Sequence, residues 1–355
     1  MKMHNFNSGP SILPDEVMEQ AAAAIHDFNG IGLSILEIGH RTSWFGDVMT
    51  EARSLVKELM NIGNEHEVLF LHGGASTQFM QVPMNLLDSN ETAAYVDNGI
   101  WGTKAVKEAK LFGNAIVVSS TKDRNHSYIA KDFSIPADAK YLHFTTNNTV
   151  EGTEWHHIPE TNVPLVADMS SDIFSRPFDY SKFALIYAGA QKNMGAAGVN
   201  IVVVRKDILG IKRAIPAIMD YRNHIEAGSL LNTPPVFAVY VALLTMRWIK
   251  KEGGLVEMGK RAKERADLFY NTLNALPAFR PLVVEEDRSF MNATFTTAKP
   301  EMEDVFLGLC KQNGMVGVKG HRSVGGLRVS MYNALPLSSV QAITDLMKDF
   351  SEKHA

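Results

Sequence analysis

The 355-residue sequence contains a single cysteine, Cys310, so no intrachain disulfide can form, and a lone thiol suits a reducing compartment. Charge of neither sign dominates: 35 Lys and Arg against 39 Asp and Glu give a net charge of -4, with no global attraction for nucleic acid or anionic lipid. An anionic ligand must therefore be met by a local cluster. Long apolar runs are also missing. The longest, residues 236–246, is about half of the roughly 20 residues a membrane helix needs, and Arg247 closes it. Residues 1–10 carry an early cation without an apolar run behind it, so no secretory signal is expected and the cytoplasm is the expected location. Internal repeats, low-complexity tracts and polar linkers are absent as well. What remains is ordinary globular usage, with 45% hydrophobic and 21% charged residues, in a chain long enough for two packed units.

Between about residues 65 and 205, short β-rich runs alternate with helical segments. The candidate strands are Val68-Leu69-Phe70-Leu71, Ala93-Ala94-Tyr95-Val96, Ala115-Ile116-Val117-Val118, Leu165-Val166-Ala167, Ala184-Leu185-Ile186-Tyr187 and Ile201-Val202-Val203-Val204. Several are continuously apolar, as strands buried on both faces of a mainly parallel sheet are, which predicts an α/β layered fold. Helices are predicted at residues 15–29, 47–61, 236–251 and 255–276, and the last hundred residues read as strand, helix, strand, helix. In the segment 300–314, Met302, Val305, Phe306, Leu309 and Cys310 share one helix face, which makes Cys310 a core residue rather than a reactive thiol.

Three elements carry chemistry. Tyr187-Ala188-Gly189-Ala190-Gln191-Lys192-Asn193 places a lysine just after a buried strand, where dehydration lowers an amine pKa and favours attack on an aldehyde. Read alone, Lys192 is more often a solvated surface lysine that ends a strand. Leu165-Val166-Ala167-Asp168 delivers an aspartate at a strand's carboxyl end, where open α/β sheets bind ligands, although such an aspartate also caps helices. His72-Gly73-Gly74-Ala75-Ser76-Thr77 joins a strand to a helix start that offers free N–H groups to a phosphate. It matches neither dinucleotide nor nucleoside-triphosphate fingerprints, so a phosphate monoester fits it better. The adjacent His156 and His157 diverge without further ligands, so no metal is expected.

These elements occur in order with Phe6-Asn7-Ser8-Gly9-Pro10, Gly39-His40-Arg41, Asn232-Thr233-Pro234-Pro235 and Lys319-Gly320-His321-Arg322 with Arg328, and together they span nearly the whole chain. The combination resembles the phosphoserine aminotransferases, class V members of the fold-type I pyridoxal-phosphate enzymes. The resemblance implies a large cofactor-binding domain at residues 15–255 built on a mainly parallel seven-stranded sheet. It also implies a smaller C-terminal α/β domain at 256–355, with residues 1–14 packed near it. Lys192 would hold pyridoxal 5′-phosphate as a Schiff base, Asp168 would pair with the ring nitrogen, Trp101 would stack on the ring, and Thr149 would bond its phenolic oxygen. Ala75 and Ser76, with Gln191 beside them, would bind the cofactor phosphate, and Asn232 and Thr233 would reach it from the partner of a homodimer. Some relatives carry an arginine where this chain has Ser76.

Substrate contacts follow from the same resemblance. Arg328 would grip the α-carboxylate. His40, Arg41, His321 and Arg322 would form the cationic surroundings of the distal anion, which is a phosphate in one half-reaction and the glutamate side-chain carboxylate in the other. Guanidinium groups suit both because they donate paired hydrogen bonds. The implied reaction is reversible amino transfer between L-glutamate and 3-phosphohydroxypyruvate in L-serine biosynthesis. Some relatives also take 4-phosphohydroxythreonine in vitamin B6 synthesis.

Overall fold

The computed structural model describes residues 3–354. A two-residue strand, β1 (His4–Asn5), precedes helices α1 (Asp15–His26) and α2 (Ser43–Met60). The chain then runs β2 (His66–His72), α3 (Ala75–Leu86), β3 (Thr92–Asp97), α4 (Ile100–Ala109), β4 (Asn114–Ser120), β5 (Leu142–Thr145), β6 (Leu165–Asp168), β7 (Phe183–Gly189) and β8 (Val199–Arg205). These strands make one seven-stranded sheet in the order β2-β8-β7-β6-β5-β3-β4. Strand β8 runs against both neighbours, and the other pairings are parallel. The carboxyl ends of β2, β3, β5, β6 and β7 therefore meet at one edge, where ligands of open α/β sheets bind.

The apolar runs explain why this sheet is covered on both faces. Alternate residues of β2 face opposite ways: Val68 and Phe70 enter a core with α1, α2 and residues from 238–249, while Leu69 and Leu71 enter another with Phe79 and Val106 from α3 and α4. Every residue of β7 is buried. After the sheet come α5 (Tyr221–Glu226), α6 (Val236–Lys251) and α7 (Gly254–Ala275), followed by β9 (Phe279–Pro281), β10 (Asn292–Thr297), α8 (Glu303–Gln312), β11 (Met315–Val316), β12 (Leu327–Ser330) and α9 (Leu337–His354). Strands β12-β10-β9 form an antiparallel sheet, and β1 pairs in parallel with β11. A separate core gathers Phe6, Phe269, Phe279, Phe295, Phe306, Cys310 and Phe350. Helix α7 serves both regions, since Leu255 and Met258 belong to the large-sheet core and Phe269 and Leu273 to this one.

Several boundaries differ from the sequence expectation. Helix α1 ends at His26, because Asp27 turns extended and its carboxylate accepts the Gly32 N–H at 2.9 Å. Helix α2 begins at Ser43, which brings Phe45 into the core. Strand β5 was not anticipated, since Leu142-His143-Phe144-Thr145 interleaves polar residues that are nonetheless buried. On α8 the expected apolar face holds at Phe306 and Cys310, but Val305 is 44% exposed.

Candidate active site

At the sheet's carboxyl edge lies a cavity of about 240 Å³. Four strand ends furnish most of its wall. The turn after β2 and the start of α3 present Gly74, Ala75 and Ser76, the start of α4 presents Trp101, the loop after β5 presents Thr149, and Asp168 closes β6. Gln191 and Lys192 enter from beyond β7, and His321 and Arg328 enter from the C-terminal region. Residues far apart in sequence thus converge because parallel strands end together.

Lys192 Nζ donates to Thr149 Oγ1 at 2.7 Å. Burial lowers its pKa from the ordinary 10.5 to about 8, opposed by the attraction of Asp168 and reinforced by Arg328. Asp168 is 3% exposed, and burial pushes its carboxyl upward, against the pull of Ser170 and Lys192. The Ser170 N–H donates to Asp168 Oδ1 at 2.9 Å. Such a buried carboxylate, attracted by Lys192, gains by meeting a protonated ring nitrogen. Arg328 donates from Nη1 to the Thr149 carbonyl at 3.0 Å and from Nη2 to Ser8 Oγ at 2.7 Å, while its buried Nε has no partner. Burial lowers its pKa, opposed by Tyr332 and Glu151.

The donor set fits pyridoxal phosphate. Among the described residues no side chain caps α3, and Gly74, Ala75 and Ser76 at its start line the cavity, which suits this helix start to a phosphate. The half-buried Trp101 offers an aromatic surface, and its indole Nε1 is buried without a partner. Lysine, aspartate, helix start and indole are the parts an aldehyde-bearing, phosphorylated pyridine needs.

Not every expected residue lines this cavity. Arg322 and Arg41 are exposed, and His40 is half-buried with Nε2 unpartnered. Asn232 borders another cavity beside Leu71, His72 and Thr77, and Thr233 is exposed with its carbonyl 2.6 Å from His72 Nε2. The structure adds Ser8, Gly9, Thr145, Asn147, Ser170 and Ser171 to the wall. Gly9 and Ser11 lie against the lysine: a Cβ on Gly9, whose φ is +138°, would sit 3.3 Å from Lys192 Cγ, and Ser11 Oγ donates to the Lys192 carbonyl at 2.5 Å. The Phe6-Asn7-Ser8-Gly9-Pro10 motif signals this segment in sequence without revealing what it touches.

Comparison with known proteins agrees along the whole chain. The family model for class-V aminotransferases matches residues 3–343. The phosphoserine aminotransferase of Flavobacterium johnsoniae is 54% identical over 355 residues, covering 99% of this chain and 100% of the relative. Among solved structures, phosphoserine aminotransferase from Bacillus circulans subsp. alkalophilus superposes with a TM-score of 0.97 at 42% identity, covering 100% of this chain and 99% of that one. The pyridoxal-phosphate-bound phosphoserine aminotransferase of Trichomonas vaginalis gives 0.93 at 34% identity, covering 98% and 100%. With its fold, strand-end lysine and aspartate, and a family match over nearly its full length, the chain belongs to the class-V aminotransferases.

Proposed function

We propose that this chain transfers an amino group between L-glutamate and 3-phosphohydroxypyruvate, giving 2-oxoglutarate and O-phospho-L-serine, with pyridoxal 5′-phosphate as cofactor. The observation that carries this reading is the convergence of Lys192, Asp168 and Arg328 on one cavity, in a chain 54% identical to a phosphoserine aminotransferase. When bound, the cofactor supplies an aldehyde for the amino group and a protonated ring that withdraws electrons. Asp168 holds the proton on the ring nitrogen. Lys192, with its amine near pKa 8, takes up and releases a proton close to neutrality, as a general acid and base must. Thr149 orients that amine, the first turn of α3 binds the phosphate with Ser76 and Gln191, and Trp101 packs on the ring. Arg328 grips the α-carboxylate of either substrate, and His321 faces the distal anion.

A homodimer completes this reading. Asn232, Thr233, His40 and Arg41 lie outside the cavity of their own chain, which suits residues that serve a neighbour's site. Leu33, Leu36 and Trp44, close to His40 and Arg41 in sequence, stay 39%, 62% and 41% exposed, and a second copy would cover them. The division into units at 15–255 and 256–355, and a cytoplasmic location, belong to the same proposal. A cysteine desulfurase is disfavoured: Cys310 is 1% exposed in α8, and burial pushes its thiol up to about 12. Borohydride reduction of the cofactor-loaded protein followed by peptide mass analysis tests the site. Cofactor mass is expected on the peptide containing Lys192, and labelling of a different lysine would overturn the assignment.

A further inference from the structure

The residue after Lys192 holds together more of the site than its place in a sequence motif conveys. Asn193 is 3% exposed and uses both ends of its carboxamide. Its Oδ1 accepts the Asn333 N–H at 3.0 Å, and its Nδ2 donates to the Ser171 carbonyl at 3.2 Å, with Met291 Sδ at 3.6 Å. Ser171 belongs to the turn after Asp168. Within that turn the Ser170 N–H donates to Asp168 Oδ1, and Ser170 Oγ accepts the Gly189 N–H at 3.1 Å. Asn333 grips the far end of the same turn, donating from Nδ2 to the Phe174 carbonyl at 2.9 Å. Phe174 is buried at φ +57°, a left-handed conformation uncommon for a bulky residue, so its carbonyl is held where the intrinsic backbone preference would not put it. Asn333 also follows Tyr332, whose hydroxyl donates to the Ser8 carbonyl at 2.8 Å, and Ser8 Oγ in turn receives Arg328 Nη2.

Taken singly, each contact is an ordinary hydrogen bond of a buried amide, with Asn333 Oδ1 left without a partner. Their arrangement is more specific. The β6–β7 ladder ends at the pair Asp168–Tyr187, before the chain reaches Lys192. Beyond that point the strands no longer fix the lysine against the aspartate. Three segments must keep register without a ladder: the loop with Lys192, the turn after Asp168, and the stretch after β12 that continues from Arg328. Asn193 bonds the second and third while being covalently joined to the first.

We infer that Asn193 is a positioning residue whose carboxamide fixes Lys192 relative to Asp168 and to the segment bearing Arg328. This rests on the aminotransferase reading of the site. Loss of the clamp leaves every group that touches the cofactor in place chemically but displaces the amine, and a misplacement of about 1 Å can cost roughly 10²-fold in rate. The penalty falls on kcat, because substrate anions are held by other side chains.

The test compares four cofactor-loaded proteins: wild type, Asn193→Ala, Asn333→Ala and Phe306→Leu. Phe306, in the C-terminal core away from the cavity, controls for simple loss of stability. Thermal melting, kcat and KM for glutamate, and the pH midpoint of the bound cofactor's visible absorbance are measured for each. Asn193→Ala is expected to bind cofactor, lose about 10²-fold in kcat with KM within roughly threefold, and shift the absorbance midpoint. Asn333→Ala, which keeps its backbone N–H for Asn193, is expected to shift the midpoint the same way with a smaller loss in kcat. It also stands in if Asn193→Ala does not fold. Phe306→Leu is expected to melt earlier with kcat and midpoint unchanged. Melting losses in Asn193→Ala and Asn333→Ala without change in kcat or midpoint would overturn the inference. A wild type that binds cofactor yet transfers no amino group sinks the functional reading alone, and the midpoints then decide the role of Asn193.

Discussion

At the residue scale the chemistry turns on one amine. Lys192 lies just past a strand end, where burial brings its pKa down to about 8. Below that pH the amine of the cofactor-free protein is protonated and inert, and above it the lone pair is free. Modification of Lys192 by an amine-selective reagent should therefore become half-maximal near pH 8, followed by mass analysis of its peptide. A midpoint near 10.5 would show a solvated lysine. The same residue marks what the sequence makes legible. A lysine after an apolar strand is visible as a candidate, but its bond to Thr149 joins positions 43 residues apart and depends on the fold. The orphaned Nε of Arg328 and the packing of Gly9 against Lys192 were invisible for the same reason.

At the scale of elements, helix starts carry the site, and sequence pattern located them better than it located their supports. The start of α3 follows from the glycine-rich turn after β2. The start of α4, which presents Trp101, depends on a carboxylate from another loop: the Ile100 N–H donates to Glu151 Oε1 at 2.8 Å. Glu151 is 5% exposed, burial raises its pKa, and Oε2 has no partner. A Cβ on Gly99 would lie 2.5 Å from Asn148 Oδ1 and 2.8 Å from Glu151 Oε2, so a side chain there would displace both groups. Glu151→Ala should cost about 1 kcal/mol of stability, as loss of a helix cap does, and should loosen the indole. Glu151→Gln keeps an acceptor for Ile100 and should retain most of both. Thermal melting and tryptophan fluorescence with cofactor bound would check this, and equal behaviour of the two variants would remove the capping role. Strand β5 lies outside the sequence expectation because the Nε2 of the buried His143 finds the Tyr187 hydroxyl at 2.8 Å, a tertiary contact that no local pattern records, while its Nδ1 has no partner.

At the scale of the whole molecule, the continuous apolar runs made the sheet legible, whereas assembly is readable only as unspent features. Four residues expected to contact cofactor or substrate, Asn232, Thr233, His40 and Arg41, lie outside their own chain's cavity, and Leu33, Leu36 and Trp44, near the last two in sequence, are exposed. Subunit exchange between Lys192→Ala and an Asn232→Ala, Thr233→Ala double variant should restore activity, because a mixed dimer has one site with both lesions and one with none. Recovery of nothing from verified mixed dimers would argue for sites complete within one chain. The most direct test of the central claim is rapid-mixing absorbance of the cofactor-loaded wild type with glutamate, O-phospho-L-serine or alanine. Glutamate and phosphoserine should both convert the cofactor to its aminated form. Alanine, which leaves the distal cations unpaired, should do so with kcat/KM lower by ~10⁴, the scale of discrimination reached when a site's polar groups lose their partners. Conversion by alanine as fast as by phosphoserine, or no conversion by any of the three, would contradict the account.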